Sequence, residues 1–403
     1  MQSRTCILTM SLIALLACPV FASGRSRAVK HPEGSTFCEF GEDFPGVTLP
    51  AGFCIRKFAD VPTPRVLLFA RNGDLFVASP KRITPGGAPP GAGAILLLRQ
   101  TELSQPPQRF TFAEGDAFET VHGIAISGES FFYTVSDSVF MVPYKTGDTA
   151  MAASAPTAIA DMFTLDPGAR FAHSLAVDTS GAVYVSRGQS DNNHCPSPDP
   201  RIGSVLRVGP GHSPLGDIVA EGLRDPLFIR CMPWGSCYAA ELSGDVWEAY
   251  GGTEKLIELH DGDNYGYPCC IDRNHPNPEI TPPPDCSRVV QTKFTFPLHH
   301  TPFGFDWERA GSWPQPYTGG FFVGLHGSFG TWENTGLQWA PTDPATHIPT
   351  TASVDFATGF GRQGAISRVA DVVFAPDGRL FFSDDQGGAI YWIAPKTLKR
   401  PAR

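Results

Sequence analysis

Residues 371–385 read DVVFAPDGRLFFSDD. Two apolar runs flank Asp377-Gly378. An Asp-Gly pair between such runs marks a β-hairpin, because its tight turn needs the left-handed backbone that glycine adopts freely. The pattern recurs upstream: VLLFARNGDLFVASP spans 66–80, HGIAISGESFFYTVS spans 122–136 and HSLAVDTSGAVYVSRG spans 173–188. Looser copies are DPLFIRCMPWGSCYAAE at 225–241 and FGFDWERAGSWPQPYTGGFFVGL at 303–325. Short apolar stretches follow at 94–99, 138–144, 204–209, 245–250, 336–341 and 389–395, and are expected as third strands of the same sheets.

Six antiparallel units spaced by tens of residues predict an all-β chain folded as a six-bladed β-propeller, which packs such units radially and leaves only short edges. A parallel β-helix would need a shorter and stricter repeat. The arm near Cys38 to Phe58 is expected to join the last blade where the ring closes. Between the fourth and fifth units lies an insertion over 251–290, rich in Pro, Asp and Cys. Loops this long in a compact domain are commonly functional, and cysteines would tie this one down. The expected organisation is a leader over 1–22, an arm over 23–49, the propeller over 50–396 and a tail over 397–403.

Composition agrees. Gly (42) and Pro (38) make up roughly a fifth of the 403 residues, against about an eighth in average chains, as a turn-rich fold requires. Hydrophobic residues at 42% allow a large core, and only 18% charged residues argue against disorder. A net charge of −9 argues against a nucleic-acid partner, which needs a basic stripe. A local basic pocket for a small anionic cofactor remains compatible with it.

The N-terminus reads as an export signal: Arg4, the apolar stretch ILTMSLIALLA, then small residues, with cleavage expected after Ala22. Lipidation at Cys18 after a lipoprotein signal is the alternative. The apolar stretch is too short for a good membrane span, and the mature chain has no candidate for one. Cys38, Cys54, Cys195, Cys231, Cys237, Cys269, Cys270 and Cys286 remain behind the leader. An even set in an exported chain predicts disulfides. Cys231 and Cys237 flank a turn and suit a hairpin staple; Cys38 and Cys54 would pin the arm. Cys269 and Cys270 would reach Cys286 and Cys195, in an order the spacing leaves open. A periplasmic or secreted location follows.

Several segments, taken in order, resemble the glucose/sorbosone dehydrogenase family of soluble quinoproteins. They are FAHSLAVDTSGAVYVSRGQSDNN (171–193), EGLRDPLFIR (221–230), DGDNYGYPCC (261–270), HHTPFGFDWE (299–308), FFVGLHGSF (321–329) and SRVADVVFAPDGRLFFSDDQGGAIYWI (367–393). The resemblance runs from about residue 50 to 395. It implies oxidation of a sugar, aldose or polyol by hydride transfer to pyrroloquinoline quinone (PQQ), with Ca2+ as a second cofactor and an external electron acceptor.

The resemblance also assigns residues. His173, opening the third unit, matches the general base; imidazole suits that task because its ordinary pKa lies near working pH. His122 opens the second unit in the analogous place. Where the glucose-oxidising members carry a base-orienting Asp, this chain has Gln189, with Asp191 two residues on as a substitute. Arg224 matches an arginine facing cofactor and sugar, and Asp225 stands where the family more often has Asn. Arg368 matches one cofactor arginine, while the second of that pair is Ala370. His326 occupies a cofactor-binding place and matches the His of the sorbosone branch's HGSW motif, with Phe329 in place of Trp. Arginine forks pair with the carboxylates of PQQ. Calcium is expected at backbone carbonyls of Ser243 and Gly244, with Glu241 and Asp245 nearby; calcium prefers such hard oxygen ligands.

Two other classes fit a six-bladed ring. One is a calcium-dependent lactonase-type hydrolase, with Glu241, Asn264 and Asp306 as conceivable ligands. The other is a non-catalytic propeller that binds a partner or glycan. Fold alone does not choose among them.

Overall fold

The computed structural model describes residues 36–82, 89–161, 172–189, 194–309, 311–328, 331–396 and 398. The leader, Asp191, Phe329 and nearly all of the tail lie outside the described residues. The described residues form six blades of antiparallel strands. Blade 1 pairs Val66–Phe69, Leu75–Ser79, Ala94–Arg99 and Gln108–Glu114; blade 2 pairs Ile124–Ser127, Ser130–Thr134, Ser138–Pro143 and Thr157–Asp161. Blade 3 uses Leu175–Val177, Val183–Arg187, Ser204–Val208 and Asp217–Glu221; blade 4 uses Asp225–Cys231, Cys237–Leu242, Thr253–Glu258 and Thr295–Pro297. Blade 5 holds Pro302–Trp307, Phe321–Leu325, Gly336–Ala340 and Val354–Ala357. Blade 6 holds Val369–Phe374, Leu380–Asp384 and Ala389–Pro395.

The arm completes blade 6 as expected. Phe53–Asp60 pairs antiparallel with Ala389–Pro395, in a register that sets Phe53 opposite Pro395. Each blade's first strand touches the first strand of the next, and that of blade 6 touches that of blade 1, so the ring is closed.

Ring packing explains the sequence pattern. Second strands such as Leu75–Ser79, Phe321–Leu325 and Leu380–Asp384 are buried at every position, because each blade is covered on both faces by its neighbours. Simple alternation is therefore lost there. Outer strands such as Gln108–Glu114 are mostly exposed. Aromatic rings fill the spaces between blades: Phe322 packs edge-on against Trp313, Phe356 and Phe374 at centroid distances of 4.9, 5.0 and 5.5 Å. Each buried ring contributes about 1.5–3 kcal/mol over an exposed one.

A polar tie crosses the ring. Asp371 of blade 6 accepts from Leu67 N–H of blade 1 at 2.8 Å and from Arg230 Nη2 of blade 4 at 3.0 Å. Burial pushes its carboxyl up to about 6, which the Arg230 charge opposes. Gly304 lets blade 5 approach this tie, since a Cβ there would meet Asp371 Oδ1 at 2.0 Å.

One expectation is corrected. Residues 245–250 do not form the third strand of blade 4; Trp247–Tyr250 is a 3-10 turn, and the strand is Thr253–Glu258, inside the stretch read as an insertion. Asp245 is drawn to Arg224, and Trp247 packs over Gly244 and Gly252, which turns the chain before the strand starts. What remains of the insertion is tied down. Asp263–Asn264 pairs parallel with Ala220 and Glu221. Cys195 bonds Cys269 and Cys270 bonds Cys286. Cys38–Cys54 and Cys231–Cys237 complete the set, so all eight cysteines behind the leader are paired. No helix among the described residues is long and apolar enough to cross a membrane.

Candidate functional site

The inner strands all run outward from one end of the ring, here called the mouth. The residues just before them therefore converge: Arg65, His122, His173, Arg224, Thr301 and Arg368 precede the first strands of blades 1 to 6. His326 and Asp385 reach the same end, since they follow the second strands of blades 5 and 6. Arg65, His122, His173, Arg224, His326 and Arg368 are all buried. Gly123 permits the close approach of blades 2 and 3; a Cβ there would meet Leu175 N at 2.6 Å.

On the side of blades 1, 5 and 6 the groups are coupled. His326 Nε2 lies 3.2 Å from both oxygens of Asp385. Arg65 Nη1 donates to the same carboxylate and lies 3.5 Å from His326 Nε2. Burial alone would raise the Asp385 carboxyl; the charges of His326 and Arg65 more than offset it and hold it well below the usual range. Burial also drives His326 down to about 3, against the pull of Asp385. Phe303 forms a floor, with His326 stacked at 4.0 Å and the Arg65 guanidinium 4.7 Å from its ring centre. Arg368 donates through Nε to the His326 carbonyl at 2.8 Å and through Nη2 to that of Gly327 at 3.2 Å. Burial lowers its pKa to about 10, so it stays cationic near neutral pH.

Blade 4 forms a second cluster. Arg224 Nη1 donates to the Ser243 carbonyl at 2.8 Å, and Nη2 pairs with Asp245. Glu241 accepts from the N–H groups of Arg224 and Asp225 at 2.6 and 3.2 Å. Glu254 accepts from Thr301 N–H. Burial raises Glu241 to about 7 and Glu254 to about 8.

His173 is fully buried. Nδ1 lies 2.9 Å from the Ser186 carbonyl and Nε2 lies 3.1 Å from that of Ser136. Burial lowers its pKa to about 4, so the ring is neutral and only one nitrogen carries a proton to donate. Gln189 donates its side-chain amide to the Leu223 carbonyl at 2.9 Å, tying blade 3 to the chain entering blade 4. His122 is buried with neither ring nitrogen hydrogen-bonded, and its ring meets Phe228 edge-on at 5.5 Å. Burial first, then the Arg65 charge, keeps its pKa well below the ordinary value.

These residues fit a flat polyanion on the donor side. Arg65 Nε–H and the one N–H of the neutral His122 ring are buried without partners, and such donors are costly unless a ligand uses them. They do not fit calcium at Ser243 and Gly244. The Ser243 carbonyl already accepts from the Arg224 cation, and Gly244 lies under the Trp247 indole, 2.9 Å from where a Cβ would stand. The hydrolase ligands do not converge either. Glu241 lies toward the mouth, Asp306 lies toward the other end bonded to Arg309 and Phe374 N–H, and Asn264 bonds Glu221. Among the described residues no group of three or more His, Cys, Asp or Glu is placed to hold a metal.

Arg65, Asp385 and Glu254 were not singled out by motif. Arg65 could have been found by register, because it precedes its inner strand as Arg224 and Arg368 precede theirs. Asp385 carried no such signal. Its partners lie 59 and 320 residues away.

No protein-family model matches the chain. An uncharacterized protein of Borreliella burgdorferi is 24% identical over 145 residues, 32% of this chain. The match spans 36% of that curated relative's own length. Solved structures resemble the whole ring. The Trichoderma reesei enzyme of carbohydrate-active enzyme family AA12 superposes with a TM-score of 0.70 at 18% identity, over 87% of this chain and 98% of that one. The PQQ domain of Coprinopsis cinerea pyranose dehydrogenase, in its holo form, gives 0.68 at 16% identity over 88% and 98%. The soluble aldose sugar dehydrogenase of Escherichia coli gives 0.59 at 15% identity over 85% and 99%. The chain is a six-bladed β-propeller with the fold of PQQ-dependent sugar dehydrogenase domains.

Proposed function

We propose that the mouth binds PQQ and that the protein oxidises a hydroxyl-bearing carbon of an aldose, polyol or sugar aldehyde, passing electrons to an external acceptor. The observation that carries this reading is the buried ring of Arg65, Arg224, Arg368, His122, His173 and His326, with donor atoms of Arg65 and His122 left over. Arg65, Arg368 and His122 would hold the carboxylates of this tricarboxylate cofactor. When bound, its quinone supplies the two-electron acceptor for a hydride.

His173 serves as the base. Its neutral ring leaves one nitrogen as a lone pair facing a carbonyl oxygen. With the proton on Nδ1 and donated to Ser186, Nε2 is that lone pair. A substrate hydroxyl entering beside Ser136 would donate to it and relieve the repulsion. The Ser186 carbonyl positions this ring, while Gln189, at the place where the resemblance puts an orienting group with Asp191 as its alternative, holds the Leu223 carbonyl instead. Asp225 and Arg224 line the substrate side. A second arrangement has a specific observation in its favour: His326, not His173, has a carboxylate partner, Asp385. In that arrangement His326 takes the proton and Asp385 orients it. The four disulfides support an oxidising compartment, periplasmic or extracellular.

The test is titration of purified apo-protein with PQQ, followed by its absorption band and by bleaching on adding aldoses. A band that appears on binding and bleaches with one or more sugars supports the reading; a protein that never acquires the band overturns it.

A further inference from the structure

At the end of the ring opposite the mouth, a cavity of about 220 Å³ opens between blades 4 and 5. Tyr238, Phe294, Phe321 and His347 supply aromatic walls. The walls pack on one another: His347 stacks on Trp234 at 3.8 Å with an interplanar angle of 6°, and Tyr238 packs edge-on against Phe321 at 4.9 Å. Two wall residues carry buried hydroxyls short of partners: Thr292 has none, and Tyr238 has only the Trp234 and Ser236 side chains nearby, neither in good hydrogen-bond geometry. Tyr238 is 4% exposed, and its burial pushes the phenol up to about 12, so it is a hydroxyl at any ordinary pH. A buried hydroxyl left unpaired costs about 1–3 kcal/mol, and a ligand that pairs it recovers that cost.

The remaining polar wall sets the ligand class. Glu258 and Asp263 present carboxylates and Gln291 an amide, while Lys293 adds the opposite charge at the same wall. The carboxylates disfavour an anion, and the Lys293 ammonium disfavours a cation. A neutral ring with apolar faces and a rim of hydroxyls answers the aromatic walls and the unpaired hydroxyls together.

We propose that this cavity is a second, non-catalytic site for a neutral monosaccharide-sized ligand. It stands independently of the chemistry proposed for the mouth, because none of its walls belongs to that end.

Saturation-transfer NMR on PQQ-free protein tests it, with D-glucose, D-galactose and D-xylose as neutral probes and sodium D-glucuronate as the anionic one. Wild type should bind at least one neutral sugar more tightly than glucuronate. Tyr238→Phe should weaken that binding about tenfold while unfolding at no lower temperature, since it removes an unsatisfied group. Thr292→Trp, which fills the cavity, should abolish it, and Arg368→Ala at the mouth should leave it intact. Absence of binding by all three neutral sugars overturns the proposal. So does unchanged affinity in Tyr238→Phe, or binding that is lost in Arg368→Ala and kept in Thr292→Trp.

Discussion

His326 presents Nε2 to both carboxylate oxygens of Asp385 at 3.2 Å, and Arg65 donates to the same carboxylate from the neighbouring blade. The three groups come from blades 5, 6 and 1, so the contact exists only in a closed ring. Asp385→Asn keeps the shape and removes the charge that balances Arg65. It should cost about 3–5 kcal/mol, the scale for leaving a buried charge uncompensated. The double change Arg65→Met with Asp385→Leu should recover most of that stability. Urea denaturation of wild type, single and double variants measures both; an Asp385→Asn protein as stable as wild type would show that the pair carries no such load.

The identity of the base is decided by comparing His173→Gln, His122→Gln and His326→Gln in steady-state dye reduction with one active sugar. His173→Gln should lower turnover about a hundredfold or more, the usual scale for losing a general base. His122→Gln should act mainly on PQQ affinity. If His326→Gln takes the hundredfold loss and His173→Gln does not, the proton goes to the imidazole beside Asp385.

Arg368→Ala should weaken PQQ binding by about 1.5–3 kcal/mol, as for a lost charged hydrogen bond. An unchanged PQQ titration would remove Arg368 from the cofactor pocket.

His122 gives a pH signature. Its pKa is lowered in the fold by burial, by the Arg65 charge and by His173. The unfolded chain therefore binds a proton that the native state refuses once pH falls below about 6.5, and stability drops there by about 1.4 kcal/mol per pH unit per proton. His122→Phe removes this term, so its stability relative to wild type should rise steadily as pH falls from 6.5. Parallel stability curves for the two proteins between pH 6.5 and 5 would contradict a buried neutral His122.

Arg224 holds the carbonyl at which calcium was expected. Calorimetric titration of wild type with CaCl2 should show weak binding at this place. Arg224→Ala frees the Ser243 carbonyl and leaves Asp245 and Glu241 uncompensated, so calcium affinity should increase. Equal affinity in both proteins would mean the guanidinium does not compete for the site.

The propeller was legible in the chain because its determinants are local. Asn72-Gly73 and Asp377-Gly378 turn hairpins whose glycines adopt φ of 87° and 91°, and the apolar runs on either side have no other way to be buried. Repetition then made six units from one. The pairings of Cys38 with Cys54 and Cys231 with Cys237 were equally local, at separations of 16 and 6 residues. Residues 245–250 misled for a physical reason. Their apolar content suits a strand, but Trp247 is spent packing over Gly244 and Gly252, and the chain turns there before the strand begins at Thr253. The same limit governed the site. His173, Arg224, His326 and Arg368 could be placed by their position at strand starts and ends, since that position repeats with the blade. Which of them is paired, and with what, was decided by tertiary contacts. Ring closure sets Asp385 between Arg65 and His326 and leaves His122 without a partner, while the hairpin of blade 4 turns the Arg224 cation onto the Ser243 carbonyl. Such pairings join residues up to 320 positions apart, and no local pattern encodes them.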